Sequence, residues 1–542
     1  MTLRFGTAGL RGPVREGPDG MNVETVTRAT AGLAAWLRAR GEAGGTVVVG
    51  RDARHGSEAF FAATTEVLAA AGFDVVALPE PGPTPLVAFA TRRLGAVAGV
   101  MITASHNPPE DNGYKVYLGA GSEASGLGVA GAQLIEPADR EIEACIDAAP
   151  PARAVARRPV TPNARARRVR AQYLDRLDER FGPAVAGTVR IALTPMHGVG
   201  GALACDALVR AGFDRLHVVD EQFAPDPDFP TVAFPNPEEP GATDALLELA
   251  ADRNADLAIA LDPDADRCAV GIRESDGRWR MLTGDETGAL LGARILDDLG
   301  LDDPGEPDGS VPEEAGERGD GGRRDRAARP VIASSIVSGT LLHRMATARG
   351  ADARRTPTGF KWLVRAGEPL VFAYEEALGH CVDPEAVRDK DGISAAVALA
   401  RIAQGRADRG SSLAEALAEL RTGYGTHVTA QRSLRMGDPA DIAALMADFR
   451  TAPPTAPGGF GVVVRDLLSA EPSIDAVELT GTDPSGSRLR IVVRPSGTEP
   501  KLKYYGELAT APGAPGTAAT LTAQLTGILE ELPDRPRRRN TP

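Results

Sequence analysis

Residues 46–78 read TVVVGRDARHGSEAFFAATTEVLAAAGFDVVAL, and this stretch decides the fold. TVVVG, 46–50, is a short apolar run rich in valine, the pattern of a buried strand. A polar turn from Arg51 to Ser57 follows it. EAFFAATTEVLAAAG has the length and composition of an apolar helix, ended by Gly72 at a C′-type position. A turn then leads into a second strand, FDVVAL. The whole is a βαβ unit.

Working outward, the same order recurs twice. VRIALT at 189–194 leads through PMHGVGG to the helix ALACDALVRAG and then FDRLHVV. PVIA at 330–333 leads through SSIVSG to TLLHRMATARG and then ADARRTP. The helix-ending glycines are Gly72, Gly212 and Gly350, at nearly equal intervals. Any α/β protein contains such units, but equal spacing favours three similar α/β domains in series. From about Gly425 the pattern changes. THVTAQRSL, GVVVRDLL, DAVELTGT and RLRIVVRP read as strands, with helices expected at 439–450 and 516–531. Successive strands with few crossovers predict a smaller C-terminal α+β domain. The expected limits are 1–165, 166–280, 281–424 and 425–542. Within the third, 302–329 is rich in Gly, Pro and charge and reads as a flexible insertion. Residues 533–542 read as a frayed basic tail.

Composition narrows the function. The 542 residues are 43% hydrophobic and 25% charged, ordinary for a globular chain of about three to five domains. Net charge is −14, which argues against a sequence-independent grip on nucleic acid or on an anionic membrane. An anionic ligand needs a local basic pocket. Cys145, Cys205, Cys268 and Cys381 are far apart and form no CxxC pair, so neither a zinc knot nor a disulfide framework is expected. No apolar window approaches a membrane span, and MTLRFGTAGLRG has no signal-peptide core. The expectation is a cytoplasmic protein, monomeric or dimeric, acting on small molecules.

Four segments carry chemistry. In GVMITASHNPPEDNGYKVY, 99–117, an apolar strand delivers Ser105 and His106 to a polar loop. A lone loop serine is usually a turn former, but at a strand end it is placed to be an exposed nucleophile or phosphate carrier. DPDADR, 262–267, follows the strand DLAIAL. Its carboxylates at i, i+2 and i+4 can converge on one hard cation. It is no EF-hand, because Arg267 stands where glycine is needed. The alternative, an acidic surface turn, fits poorly at the C-terminal end of an apolar strand, where α/β sites form. RPSGTEPKLK, 494–503, gathers hydroxyls and cations around Gly497. A phosphate nest is favoured there over a plain type II turn. YEEALGH, 374–380, and VRDKDG, 387–392, place carboxylates where sugar hydroxyls can be bound, though charged turns are commoner. A Walker A loop and HExxH are both missing. HGVGG, 197–201, is an incomplete dinucleotide fingerprint with Leu203 in place of the third glycine, so NAD is not expected.

Together these segments resemble the α-D-phosphohexomutase superfamily from Phe5 to about Glu507. FGTAGLRG at 5–12, DNGYKVY at 111–117, PTGFKW at 357–362 and EEALGH…RDKDGISAA at 375–396 look closest to one branch. That branch is phosphoglucomutase/phosphopentomutase type 2 and its bacterial relatives, some labelled phosphomannomutases. The resemblance implies a four-domain architecture, three similar α/β domains plus a mobile fourth. It implies an intramolecular phosphotransferase that passes a phosphoryl group from a phosphoserine to a sugar monophosphate. The resulting bisphosphate, glucose 1,6-bisphosphate for glucose, is both intermediate and activator. By resemblance Ser105 is the phosphoserine. Asp262, Asp264 and Asp266 hold Mg²⁺ together with Ser105. Arg11, His106 and Arg267 flank the transferred group, and Lys115 and Lys390 move protons at the sugar hydroxyls. Arg494, Ser496, Gly497 and Thr498 grip the other phosphate. Glu375 and Gly359 bind the sugar. One departure stands out: Ala377 follows Glu375-Glu376 where many phosphohexomutases carry serine. Glucose phosphates are expected first, pentose phosphates second and mannose phosphates third. A silent sugar-phosphate binder is the alternative of another class, disfavoured because a binder needs no phosphorylatable serine.

Overall fold

The first sheet is built from β1 (Leu10–Pro13), β2 (Thr46–Arg51), β3 (Asp74–Ala77), β4 (Ala98–Ile102) and β5 (Asp111–Leu118). The computed structural model describes residues 3–6, 9–122, 129–301, 329–496, 501–514 and 516–536. The expected insertion therefore lies outside the described residues except for Arg329, as do Gly497, Thr498 and residues 537–542 of the tail. Strand order is β1-β5-β4-β2-β3. β2 runs parallel to β3 and β4, β5 pairs antiparallel with β4, and β1 pairs antiparallel with β5. Val47, Val48 and Val49 are fully buried, as expected of a parallel strand covered on both faces.

The second sheet repeats this plan. β6 (Ile191–Thr194) lies between the parallel β7 (Leu216–Val218) and β8 (Leu257–Leu261), and β9 (Cys268–Arg273) and β10 (Trp279–Met281) close the edge antiparallel. β11 (Val331–Ser335) and β12 (Asp352–Thr356) form the third parallel pair. β13 (Leu370–Glu375) and β14 (Gly379–Cys381) form an antiparallel hairpin.

The repetition reaches the backbone of the helix ends. Gly72, Gly212 and Gly350 all have positive φ. Each donates to a carbonyl three residues back: Ala69, Val209 and Thr347. The residue after each bonds five back, to Leu68, Leu208 and Ala346. This is the same Schellman ending three times. The three βαβ units expected from sequence are thus present, with one detail of geometry in common.

The C-terminal sheet holds β15 (His427–Arg435), β16 (Val462–Asp466), β17 (Val477–Thr482), β18 (Arg488–Pro495) and β19 (Lys501–Ala509), in the order β15-β19-β18-β17-β16, all antiparallel. Helices Pro439–Thr451 and Ala518–Glu530 cover it. β19 was not anticipated as a strand. Its first residues belong to the RPSGTEPKLK segment read as a phosphate loop, and that reading hid the alternation in KLKYYGELA.

By its contacts the chain divides into two compact units. One is residues 1–287 with 359–414, the other residues 288–358 with 415–542. No helix among the described residues is long and apolar enough to cross a membrane, and all four cysteines are free.

Candidate active site

The first unit gathers its chemistry at the C-terminal ends of its parallel strands, where α/β proteins form sites. β4 ends at Ile102 and β8 at Leu261, so the loops TASHNP and DPDADR leave from equivalent edges. Ser105 and Ala265 both have positive φ, a conformation that costs a non-glycine residue about 1 kcal/mol or more. Close backbone approach supports both turns. A Cβ on Gly113, in DNGYK, would lie 2.4 Å from the Thr103 carbonyl oxygen, and one on Gly198 would lie 2.4 Å from that of Pro263. Val199 N also donates to Pro263 O at 2.9 Å. The HGVGG turn, an incomplete nucleotide motif in sequence, is thus a seat for the DPDADR loop.

The two loops meet. Ser105 Oγ donates to Asp262 Oδ2 at 3.0 Å and lies 3.3 Å from His106 Nδ1. Asp262, Asp264 and Asp266 are fully buried, and one carboxylate oxygen from each lies within 4.8 Å of the others. Lys115 Nζ donates to Asp264 Oδ2 at 2.7 Å and Asp266 Oδ2 at 3.1 Å, and Thr84 Oγ1 to Asp264 Oδ2 at 2.6 Å. Lys390 Nζ is 3.4 Å from Asp266 Oδ2. Asp264 Oδ1 and Asp266 Oδ1 are buried and accept no hydrogen bond among the described residues. Three convergent carboxylates with unused buried oxygens fit a hard divalent cation.

Electrostatics follow from this crowding. Burial, then the charges of Asp264 and Asp266, push the Asp262 carboxyl well above its ordinary range. Burial opposes ionisation of Asp264 too, but the Lys115 ammonium and the hydrogen bonds from Lys115 and Thr84 outweigh it and hold that carboxyl down. Burial lowers Lys115 and Lys390, yet the facing carboxylates win and raise both. A lysine base needs the opposite shift; both ammonium groups are held protonated. Burial, then Arg267 and Arg11, push the His106 imidazole well below its usual value, so it is neutral.

The remaining residues fall around this cluster. Arg11, opposite Gly113 in the β1–β5 pairing, donates to Asn107 Oδ1 at 3.2 Å. The Nε atoms of Arg11 and Arg267 are buried without a hydrogen-bond partner among the described residues. The Arg267 amide donates to Asp262 Oδ1 at 3.0 Å. Glu375 ends β13, and burial pushes its carboxyl up against the opposing pull of Lys390 and Arg267. Gly359, at φ 106°, precedes the short helix Phe360–Leu363, and Lys390 Nζ lies 5.4 Å from the Phe360 ring centroid. Arg494 lies in β18 of the second unit, where Ser496 N donates to Lys501 O at 2.8 Å.

Comparison with known proteins matches the chain to three domain descriptions. Alpha/beta/alpha domains I, II and III of phosphoglucomutase/phosphomannomutase match residues 2–151, 171–275 and 320–424. The chain belongs to the phosphoglucomutase/phosphomannomutase family. A Haemophilus influenzae protein named "Probable phosphomannomutase" is 37% identical, over 90% of this chain and 92% of its own. The human protein named phosphopentomutase is 32% identical, over 94% and 86%. Human glucose 1,6-bisphosphate synthase is 31% identical, over 98% and 87%. Two solved structures share the fold at a TM-score of 0.68. One is a family protein of Burkholderia thailandensis, 19% identical, with 98% of this chain and 99% of that chain covered. The other is parafusin from Paramecium, 18% identical, with 98% and 96% covered. The chain is accordingly a sugar-phosphate mutase of the phosphohexomutase type, an isomerase working by phosphoryl transfer.

In this phosphoglucomutase/phosphomannomutase family member, several residues matter that sequence reasoning passed over. Thr84 reaches Asp264 across 180 positions. Glu238, in FPNPEEP, lies 3.6 Å from an Arg267 nitrogen; a carboxylate pair between prolines is a weak signal that could have marked it. The RDKDG segment divides its labour. Asp389 accepts from Tyr117 at 2.9 Å and Gln133 at 2.7 Å. Lys390 enters the cluster. Asp391 caps the helix Gly392–Ala407 through Ile393 N and Ser394 N and accepts from Tyr173.

Proposed function

We propose that the protein moves a phosphoryl group between two hydroxyls of one sugar through Ser105, with glucose 1-phosphate and glucose 6-phosphate as the preferred pair. The observation that supports this most is the Ser105–Asp262 contact inside a shell of cations. In the first half-reaction the bond from phosphorus to Ser105 Oγ breaks as one forms to a sugar hydroxyl oxygen, and the proton of that hydroxyl passes to the freed Ser105 Oγ. In the second, the bond from the other phosphorus to its sugar oxygen breaks as one forms to Ser105 Oγ, and the serine proton passes to the freed sugar oxygen. Arg11 and Arg267, whose Nε donors have no partner among the described residues, would bind the phosphoryl oxygens. Neutral His106 beside Ser105 Oγ would order that side of the group. Lys115 and Lys390, held as ammonium groups, would act at the sugar oxygens as proton donors.

Asp262, Asp264, Asp266 and Ser105 would hold Mg²⁺. Bound there, the ion supplies charge neutralisation on the phosphoryl oxygens. Glu375 and Gly359 would bind sugar hydroxyls. Arg494, Ser496, Gly497 and Thr498 would hold the phosphate that is not reacting. The division of labour is 1–165 for the phosphoserine loop, 166–280 for the metal, 281–424 for the sugar and 425–542 for the distal phosphate.

A second reading favours pentose phosphates. Ala377 removes a hydroxyl from the sugar loop, and loss of one hydrogen bond to a hexose can change discrimination strongly. Mannose phosphates rank third. The test is a side-by-side mutase assay with Mg²⁺ and a trace of glucose 1,6-bisphosphate. Glucose 1-phosphate, ribose 1-phosphate and mannose 1-phosphate are compared by kcat/KM, with free phosphate monitored. Ser105→Ala is expected to abolish turnover of all three while the fold persists. Retained turnover would remove Ser105 from the mechanism, and a ribose preference would replace glucose.

A further inference from the structure

Among the described residues Arg54 donates no hydrogen bond to Asp262, Asp264 or Asp266; its guanidinium donates instead to the backbone of the loop that carries Ser105. Its side chain is 1% exposed. One terminal nitrogen donates to Ser105 O at 2.6 Å and Asn107 O at 2.5 Å. The other donates to Pro108 O at 2.8 Å and Asp111 O at 3.2 Å. Four carbonyls of the loop that carries Ser105 thus converge on one side chain.

The arginine is itself braced. Its Nε lies 3.5 Å from Asp52 Oδ2, and its guanidinium carbon lies 4.9 Å from the Phe229 ring centroid. Asp52 is fixed in turn by the Arg54 amide at 3.0 Å and Ser57 Oγ at 2.5 Å. Ser105 needs such support, because its φ is 54° and a left-handed serine is strained. The Ser105 amide is held by Thr103 Oγ1 at 2.9 Å, and Arg54 holds the carbonyl on the other side of the same residue.

We infer that Arg54 is a positioning residue for phosphoryl transfer: it fixes the 105–111 backbone so that Ser105 Oγ sits at reacting distance, and so governs kcat without binding the sugar. The inference rests on the reading of Ser105 as phosphoryl carrier. Displacement of a reacting group by about 1 Å can cost about 100-fold in rate. Loss of positioning alone leaves substrate binding, and hence KM, nearly unchanged. A lysine keeps the charge but cannot span four carbonyls in a plane.

The experiment compares full-length wild type, Arg54→Lys and Arg54→Ala. Phosphorylation of Ser105 by labelled glucose 1,6-bisphosphate is followed by rapid quench, beside steady-state kcat and KM and thermal unfolding. For Arg54→Ala the expected result is a transfer rate and kcat lower by about 100-fold, with KM within about twofold. Added guanidinium is expected to restore part of the rate in this variant and none in wild type. Arg54→Lys is expected to fall between them. If Arg54→Ala does not fold, Arg54→Lys decides: a wild-type transfer rate overturns the inference. Activity per folded molecule equal to wild type in either variant also overturns it. An unlabelled wild type would overturn both this and the phosphoserine reading; a labelled wild type with an equally labelled Arg54→Ala overturns this one alone.

Discussion

Lys115 holds two buried carboxylates at once, Asp264 at 2.7 Å and Asp266 at 3.1 Å. Removing one partner of such a cluster leaves uncompensated charge in the interior, at a cost of about 3–5 kcal/mol. Lys115→Met is therefore expected to unfold at clearly lower temperature in chelator, and Mg²⁺ is expected to raise its midpoint more than that of wild type. Equal shifts in the two proteins would separate Lys115 from any metal held by the aspartate cluster; calorimetry with and without Mg²⁺ reads the difference. At this scale the sequence was legible where the chemistry is written in consecutive letters. TASHNP and DPDADR each bring their reactive side chains within six residues, and the structure places them together. Thr84, Glu238 and Arg54 were not legible, because each acts on a partner far along the chain and no local spacing records that. Arg54 lies only two residues past Asp52, in a turn that reads as polar punctuation.

At the scale of elements, sequence showed three equivalent helix ends, and the structure distinguishes them. A Cβ on Gly72 or Gly350 would meet nothing within 4 Å, whereas one on Gly212 would lie 1.9 Å from the Val185 carbonyl oxygen. Gly72→Ala is expected to cost about 1 kcal/mol, the strain of a positive φ alone. Gly212→Ala adds a steric clash and is expected to cost at least about 1 kcal/mol more. Urea unfolding of the two variants tests the order, and equal losses would contradict it. The βαβ units were readable because valine runs, apolar helices and closing glycines are local signals. β19 was not, because a cationic motif overlies its first residues. The HGVGG turn was read only for a nucleotide it lacks the glycine to bind, since its packing against Pro263 joins segments about sixty residues apart.

For the molecule as a whole, buried titratable groups predict acid sensitivity. Burial pushes His380 down to about 3, and burial, then Arg355, pushes His343 down to about 4. In the unfolded chain both would protonate near 6.5. The unfolded state therefore takes up protons first, and stability is expected to fall as pH drops from 6.5 toward these values. For His380, fully buried, the loss is about 1.4 kcal/mol per pH unit. Burial works against the Glu507 carboxylate, but the hydrogen bond and charge of His427 hold it at about 2. Its contribution is lost as pH falls from 4.5 toward 2. Thermal midpoints measured from pH 7.5 to 4.5 are expected to decline, and a flat profile would show that the histidines are accessible to protons in the fold. The division of the chain has a consequence for its synthesis. The first unit is completed only by residues 359–414, which supply Lys390 to Asp266 and the Gly392 amide to the Ala265 carbonyl. A ribosome that has finished residue 287 must still translate through residue 414. At ordinary elongation rates the nascent aspartate loop waits on the order of ten seconds for these partners.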